Sequence, residues 1–255
     1  EIIYDLTLGK SFNTVASELE REGLIKNAEF FSLYAKVSGE RSKIKVGEYA
    51  LNTHMTPVEV MEVITSGKSI ARAFTISEGL SIFEIAQLYE KQGYGAYDDF
   101  MSAVRDQALI RTLLGETQES LEGYLFPETY MITKFMSAKD LVTAMVKRFL
   151  MVYSEVPPQS KITGLNRHQI VTLASIIEKE TGAPHERGLI SSVFHNRMRK
   201  RMRLQTDPTV IYGKAVDITG RIVISITRQD LRTPTRYNTY VIPGLPPGPI
   251  ANPGR

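Results

Sequence analysis

The segment Asn166–Gly182 reads NRHQIVTLASIIEKETG and holds the signals for both ends of one helix. Asn166, with Gln169 three residues later, is an N-cap pattern of the capping-box type. Gly182 followed by Pro184 is a stop signal, because glycine commonly closes helices and proline cannot continue them. The sequence therefore predicts a helix over this segment.

One acidic residue, Glu180, falls on the apolar face of this predicted helix. Leu173, Ile176 and Ile177 share that face, and at roughly 100° per residue Glu180 comes within about 20° of Leu173. Apolar surroundings desolvate a carboxylate, and the resulting rise in its pKa suits a carboxyl group to general acid catalysis. The alternative is that Glu180 lies at a fraying helix end, reaches water and has no role.

Composition places the chain among ordinary globular proteins. Its 255 residues allow one or two domains, and a net charge of +3 suits an anionic polymer or membrane surface without demanding either. The absence of cysteine excludes disulfides, thiol chemistry and cysteine-bound metals. No apolar run approaches the ~18–20 residues of a membrane span, and no signal peptide is visible. Because the chain runs from Glu1 to Arg255, inside a Pro/Gly-rich stretch, we expect a fragment that lacks an anchor or targeting segment.

The N-terminal third repeats a strand–turn–helix pattern in Asp5–Ile25, Lys45–Lys68 and Ala73–Gly93. Such units are typical of α+β modules, and this one resembles LysM-type glycan-binding modules. The alternative is a plain α+β scaffold. With a boundary near Ser69–Arg72, the sequence predicts an α+β protein of two domains. Residues 1–70 form a small LysM-like module, and residues 71–255 form a mixed, helix-rich domain with short strands.

Further helices are predicted in the second domain. Tyr97–Leu114 and Ser137–Tyr153 have helical spacing, the latter with Ser137 as its cap. Pro184–Arg203 is predicted as another helix, with inward residues Leu189, Ile190, Val193, Phe194 and Met198. Beyond Leu204 we expect turns and short strands.

Two polar segments have the composition of a carbohydrate site. LQTDPTVIYG (Leu204–Gly213) and RYNTY (Arg236–Tyr240) supply amides for sugar hydroxyls and rings for stacking. The basic run Arg197–Arg203 invites a nucleic-acid interpretation, but a solvated helix end explains it as well, so we expect no nucleic acid. The four histidines lack metal-ligand spacing and no phosphate-binding loop is present, so no metal and no cofactor are expected.

Four motifs together resemble a known family. In order they are LEGYLFPETY (Leu121–Tyr130), LASIIEKETG, the run Ser192–Gly213, and YNTYVIPGLPPGPIANPG (Tyr237–Gly254). They are similar to the endolytic murein transglycosylases of the MltG/YceG-like family, strongly over Leu121–Gly254 and more loosely before it. The resemblance identifies residues 71–255 as a catalytic domain, expected to be truncated at its C-terminus.

The resemblance implies cleavage of the β-1,4 bond between N-acetylmuramic acid and N-acetylglucosamine within peptidoglycan strands. Its catalytic acid is the second glutamate of the EKE motif, here Glu180, with Glu178 at most in support. Protonation of the glycosidic oxygen is followed by attack of the muramic acid 6-hydroxyl, which leaves a 1,6-anhydro end without consuming water.

The motifs also nominate residues of a substrate groove around Glu180. These candidates are Glu122, Glu128, Gln205, Asp207, Tyr212, Tyr237 and Asn238. Glu122 or Asp207 has three open roles: raising the pKa of Glu180 by like charge, holding sugar hydroxyls, or capping local backbone.

The resemblance further implies a place at the extracytoplasmic (periplasmic) face of the bacterial cytoplasmic membrane, through a single-pass N-terminal anchor absent from this sequence. Penicillin-binding proteins are expected partners. Two alternatives remain: a non-catalytic peptidoglycan-binding scaffold of cell-wall synthesis, and a true hydrolase in which Glu122 or Asp207 is the second carboxylate.

Overall fold

The computed structural model describes residues 1–157 and 164–255, in which helices combine with short strands in an α+β arrangement. The strands are β1 (Ile2–Leu6), β2 (Gly47–Leu51), β3 (Ala71–Thr75) and β4 (Thr129–Thr133). The helices are α1 (Phe12–Arg21), α2 (Ala28–Val37), α3 (Pro57–Ser66), α4 (Ile82–Lys91), α5 (Tyr97–Val104), α6 (Gln107–Leu114), α7 (Ala138–Ser154), α8 (Arg167–Glu180), α9 (Arg187–Arg199) and α10 (Asp207–Lys214). Across this part of the chain, none of the helices has the length and apolar character needed to cross a bilayer.

The chain divides into two compact units. Unit 1 comprises Glu1–Phe74 and Met131–Met136, and unit 2 comprises Thr75–Tyr130 and Ser137–Arg255. Strands β3 and β4 pair with each other, and the chain passes from one unit to the other within these two strands.

Unit 1 has its own apolar core. Strands β1 and β2 pair antiparallel with Tyr4 opposite Tyr49, and both tyrosines are buried. Phe12 of α1 stacks on Phe31 of α2 with ring centroids 5.6 Å apart. The alternation of buried and solvent-facing residues along β1 follows from the two-residue period of a strand, which leaves one face for the helices.

The strand–turn–helix pattern predicted from the sequence is confirmed three times. Ser11, Thr56 and Ser81 each accept a hydrogen bond from a backbone N–H in the first turn of the following helix, and so cap α1, α3 and α4. Resemblance of the first unit to LysM modules is not confirmed by this architecture and stays a prediction.

In unit 2 the sequence predicted the starts of two helices, α7 and α8, correctly. Capping boxes open α7 at Ser137 and Asp140, and α8 at Asn166 and Gln169. The predicted helix Tyr97–Leu114 is present as α5 and α6, which Asp106 separates by capping the second. The core between these helices contains large buried apolar side chains from α5, α7 and α8.

Three predictions in this unit were wrong. Helix α9 ends at Arg199 rather than Arg203, and Leu189 and Val193, predicted to point inward, are 70% and 44% exposed. Leu204–Gly213, predicted as turns and short strands, contains helix α10. Proline is favoured in a first helical turn, where its missing N–H has no partner to lose, so Pro208 opens α10 instead of preventing it.

Candidate active site

Glu180 is the last residue of α8 and is exposed to solvent. Leu173 and Ile176, on the same face, are buried as predicted. The expected desolvation of Glu180 is wrong, because the helix ends at this residue and its side chain projects beyond the apolar stripe. The carboxyl group is therefore accessible to a substrate.

A threonine hydroxyl holds the Glu180 carboxyl group. Thr206, the residue before α10, donates from its hydroxyl to Oε1 of Glu180. Thr206 is itself fixed, since its N–H donates to Oγ1 of Thr239 at 3.1 Å and its carbonyl accepts from the Thr209 hydroxyl at 2.7 Å. The Thr209 and Thr239 hydroxyls are 2.8 Å apart, and all three threonines are buried. This threonine cluster (Thr206, Thr209 and Thr239) gives Glu180 a rigid partner.

A tyrosine–aspartate pair lies beside the cluster. The Tyr240 hydroxyl donates to Oδ1 of Asp207 at 2.6 Å. This hydrogen bond, together with partial burial and the charges of Asp207 and Glu180, raises the pKa of Tyr240 to about 12. Tyr240 therefore keeps its proton at neutral pH, and it follows directly after Thr239 of the threonine cluster.

Gln205 precedes the cluster in a left-handed backbone conformation. Its φ is +51°, a value uncommon for a residue with a side chain, and its N–H donates to the Thr239 carbonyl at 3.2 Å. The Gln205 side chain is exposed. Strained backbone of this kind occurs often where a side chain must be presented to a ligand.

Glu178, two residues before Glu180, is part of an ion-pair network. The Arg187 guanidinium lies 2.9 Å from Glu178 and 3.0 Å from Glu78. Glu178 also accepts from the N–H of Gly254 at 3.2 Å. These contacts tie the end of α8 to α9 and to the last residues of the chain, so Glu178 supports the helix end that carries Glu180.

Glu122 is buried and caps a helix. Its carboxyl group accepts hydrogen bonds from the N–H of Ile82 at 3.0 Å and from the Asn252 amide at 2.9 Å. Burial raises the pKa of Glu122 to about 8 and raises that of the neighbouring Tyr212 well above its ordinary value. Of the roles left open for Glu122, backbone capping matches its contacts.

The remaining candidates also have structural partners. Tyr237 is buried against Tyr212, with ring centroids 4.9 Å apart. Asn238 is fully buried and its amide donates to the carbonyls of three residues between Asp230 and Thr233. Glu128 forms a two-pronged ion pair with Arg148 at 2.8 and 3.0 Å.

Of the seven groove candidates, the structure thus brings Gln205 and Asp207 to the surroundings of Glu180, and gives the others buried or paired positions. Their role in substrate binding stays a prediction. Sequence reasoning missed Thr206 and Thr239, the groups that orient the acid. Two hydroxyl residues, Thr206 and Thr209, could have indicated these contacts from the sequence. They were overlooked because the start of the helix in this segment was interpreted as a turn.

Comparison with known proteins establishes the class. A model of the YceG-like family matches residues 4–255, and the chain belongs to that family. The chain is 33% identical to the endolytic murein transglycosylase of Bacillus subtilis, over 96% of this chain and 71% of the relative.

Two further relatives extend the comparison. The endolytic murein transglycosylase of Streptococcus pneumoniae (strain R6) is 29% identical over 96% of this chain, which spans about half (49%) of that protein. The crystal structure of a YceG-like protein from Listeria monocytogenes matches with a TM-score of 0.64 and 32% identity, covering 99% of this chain and 86% of the other.

Proposed function

We propose that this protein is an endolytic lytic transglycosylase that cuts peptidoglycan glycan strands, with Glu180 as general acid and then general base. The relatives named endolytic murein transglycosylase support the activity. The observation that carries the assignment of Glu180 is its exposed carboxyl group, held by the hydroxyl of Thr206 at the end of α8.

The chemistry needs one carboxyl group that both gives and accepts a proton. Protonated Glu180 donates to the oxygen between N-acetylmuramic acid and N-acetylglucosamine, and the C1–O bond breaks through an oxocarbenium-like state. The Glu180 carboxylate then takes the proton of the 6-hydroxyl as that oxygen bonds to C1. The products are a free N-acetylglucosamine 4-hydroxyl and a 1,6-anhydro-muramic end, and Glu180 recovers its proton.

The local contacts favour this route over hydrolysis with a second carboxylate. Asp207 accepts the Tyr240 hydroxyl, and Glu122 is buried and occupied by Ile82 and Asn252. Burial keeps Glu122 from acting on water or on the sugar carbon, which leaves Asp207, already held by Tyr240, as the one of these two carboxylates that a hydrolase could use.

The cellular setting is also part of the proposal. The protein acts at the extracytoplasmic face of the cytoplasmic membrane, held there by an N-terminal anchor outside this sequence, and works beside penicillin-binding proteins. Unit 1 is the candidate glycan-binding module. These statements rest on the family resemblance alone.

The direct test is digestion of purified sacculi by the parent protein and by Glu180→Gln, with mass spectrometry of the fragments. We expect anhydro-muramic ends from the parent and at least ~100-fold less product from the variant, because general acid–base catalysis contributes about 10²–10⁴ in rate. Glu155→Gln, which changes an exposed carboxylate paired with Arg255, is the matched control and should act like the parent.

Other products would overturn the proposal. Reducing ends that carry one added water would identify a hydrolase. Sacculus binding without any cleavage by the parent would identify a non-catalytic wall-binding protein.

A further inference from the structure

A groove of about 660 Å³ lies in unit 2 away from the Glu180 carboxyl group. The first two turns of α8 form one wall, the end of α9 a second, and the turn 243–247 a third. Its surface mixes amides, aliphatic side chains and one cation: Asn166, Gln169, Thr172, Met198, Leu245 and Arg201. Such a lining suits a ligand that is partly aliphatic and partly anionic.

Hydrogen bonds connect the walls of the groove to neighbouring segments. His168 of α8 joins the Pro247 carbonyl at 2.8 Å through Nε2 and the Tyr124 hydroxyl at 2.9 Å through Nδ1. On the opposite wall, the backbone of Arg203 forms a parallel β-bridge with that of Gly244, and the Arg203 guanidinium donates to the Tyr240 carbonyl at 2.9 Å. The chain segments that contain Arg203 and Gly244 continue to the threonine cluster and Tyr240, so the groove and the Glu180 site are built from adjoining stretches of the chain.

Arg201 holds an unusual position at the end of α9. Its φ is +56°, and the N–H groups of Arg201 and Met202 close the helix by donating to the carbonyls of Met198 and Arg197 at 3.0 and 2.8 Å. This is the position that glycine normally takes, because a side chain is strained there. Within residues 1–157 and 164–255, the Arg201 guanidinium has no hydrogen-bond or ion-pair partner. Among the described residues, the helix end therefore carries a cation that has no partner and a strained backbone conformation at the groove.

Distance along α8 relates the groove to the cleavage site. Thr172 lies eight residues before Glu180, which corresponds to about 12 Å of helix. In peptidoglycan, a short peptide is attached to the lactyl group of muramic acid, and a stem of about four residues spans roughly 14 Å when extended. A stem carried by the sugar at Glu180 can thus reach the groove.

We propose that this groove binds the stem peptide of the strand being cut, with Arg201 pairing a peptide carboxylate and the Met, Leu and Pro side chains covering its aliphatic part. Guanidinium–carboxylate pairs are strong and directional. Binding of a carboxylate accounts for an arginine at a strained backbone position. This inference rests on the proposed function, since it takes peptidoglycan as the substrate.

The test uses the full chain and two synthetic probes, a stem peptide with free carboxylates and the same peptide fully amidated. Binding of each is measured by calorimetry for the parent, Arg201→Gly and Lys200→Ala. We expect the parent to bind the acid at least about tenfold more tightly than the amide. Arg201→Gly should lose this preference while its Tm stays equal or rises, because glycine relieves the left-handed strain. Lys200→Ala removes the same charge one residue earlier and should keep the preference.

A damaged fold cannot imitate this combination of weaker binding and undiminished Tm. The inference is overturned if neither peptide binds the parent, if the amide binds as tightly as the acid, or if Arg201→Gly keeps the parent's preference. Failure of the proposed function is a separate result: the parent would then bind the acidic peptide selectively and still form no anhydro-muramic ends from sacculi.

Discussion

At the scale of single residues, the proposed acid is held by a hydroxyl and is open to solvent. Glu180 ends a helix, and the group that fixes its carboxyl orientation belongs to a segment 26 residues later in the chain. A carboxyl group that must meet a polymer needs this exposure, and it needs a rigid partner so that its oxygen is aimed before the strand arrives.

Replacing Thr206 tests that orientation. We expect Thr206→Val to lower kcat by about tenfold to hundredfold with little change in KM, because one hydrogen bond that positions the acid is lost while strand binding is kept. Rates of anhydro-product formation measure this effect.

Two further measurements show whether the loss of activity comes from the missing hydroxyl or from a damaged fold. Thr206→Ser keeps a hydroxyl and should restore most of the activity. Thr206→Val should melt within a few degrees of the parent, because valine has nearly the shape of threonine. A loss of activity that Thr206→Ser shares in full would contradict the positioning role.

Helical periodicity was enough to identify Glu180 as unusual, but it could not give the surroundings of the residue. The period places a side chain on a face, whereas exposure depends on where the helix ends and on what packs beyond that end. The threonine cluster joins Thr206 to Thr239 across 33 residues, and no local pattern encodes such a contact.

At the scale of elements, helix starts were the most predictable feature. Ser137 and Asn166 cap their helices because a side-chain oxygen satisfies an N–H that the first turn leaves free. Helix α10 was missed because Asp–Pro begins turns and helices alike, and only tertiary packing decides between them. The exposed apolar face of α9 was missed for a related reason. Periodicity shows that apolar residues share one face of a helix, but it does not show that another element packs against that face.

Glu122 links two elements in a pH-dependent way. Its pKa rises from 4.5 to about 8 on folding, so the protonated carboxyl stabilises the fold fully below pH 4.5 and this contribution is lost as the pH rises to about 8. We expect the Tm of the parent to fall over that window by a few degrees more than the Tm of Glu122→Gln, whose side chain does not ionise. Thermal melts between pH 4.5 and 8.5 measure the difference.

The exposed Glu155→Gln variant is the control and should follow the parent at each pH. Parallel pH dependence of the parent and Glu122→Gln would contradict the burial of an ionisable carboxyl group at the start of α4.

At the scale of the whole molecule, the chain contains two compact units, and unit 1 has a core of its own. A separate core allows a unit to lose structure without the other, so stability need not be uniform along the chain. Unit 1 draws on two separate stretches of sequence, which no composition shift or linker signal reveals.

The variant Phe31→Ala should show that unit 1 can lose structure without unit 2. Phe31 is fully buried in unit 1, and removing a buried phenylalanine ring costs about 3–5 kcal/mol. We expect amide hydrogen exchange, followed by mass spectrometry, to accelerate in residues 1–74 and 131–136 and to stay unchanged in 164–255.

The neighbouring Phe30 is 63% exposed, so Phe30→Ala is a matched control that should leave exchange as it is in the parent. Faster exchange throughout the chain in Phe31→Ala would mean that both units unfold together.

The segment Met131–Met136 matters for how the protein is made. Within unit 1, Lys134 forms an ion pair with Asp5 at 2.5 Å, and β4 supplies the partner of β3. At about 5–20 residues per second, the ribosome needs roughly 3 to 11 s to translate Thr75–Tyr130 after the first stretch of unit 1 is finished. During that interval β3 is a nascent strand with an unpaired edge, which is the period in which a chaperone, or a second nascent chain on the same messenger RNA, has access to it.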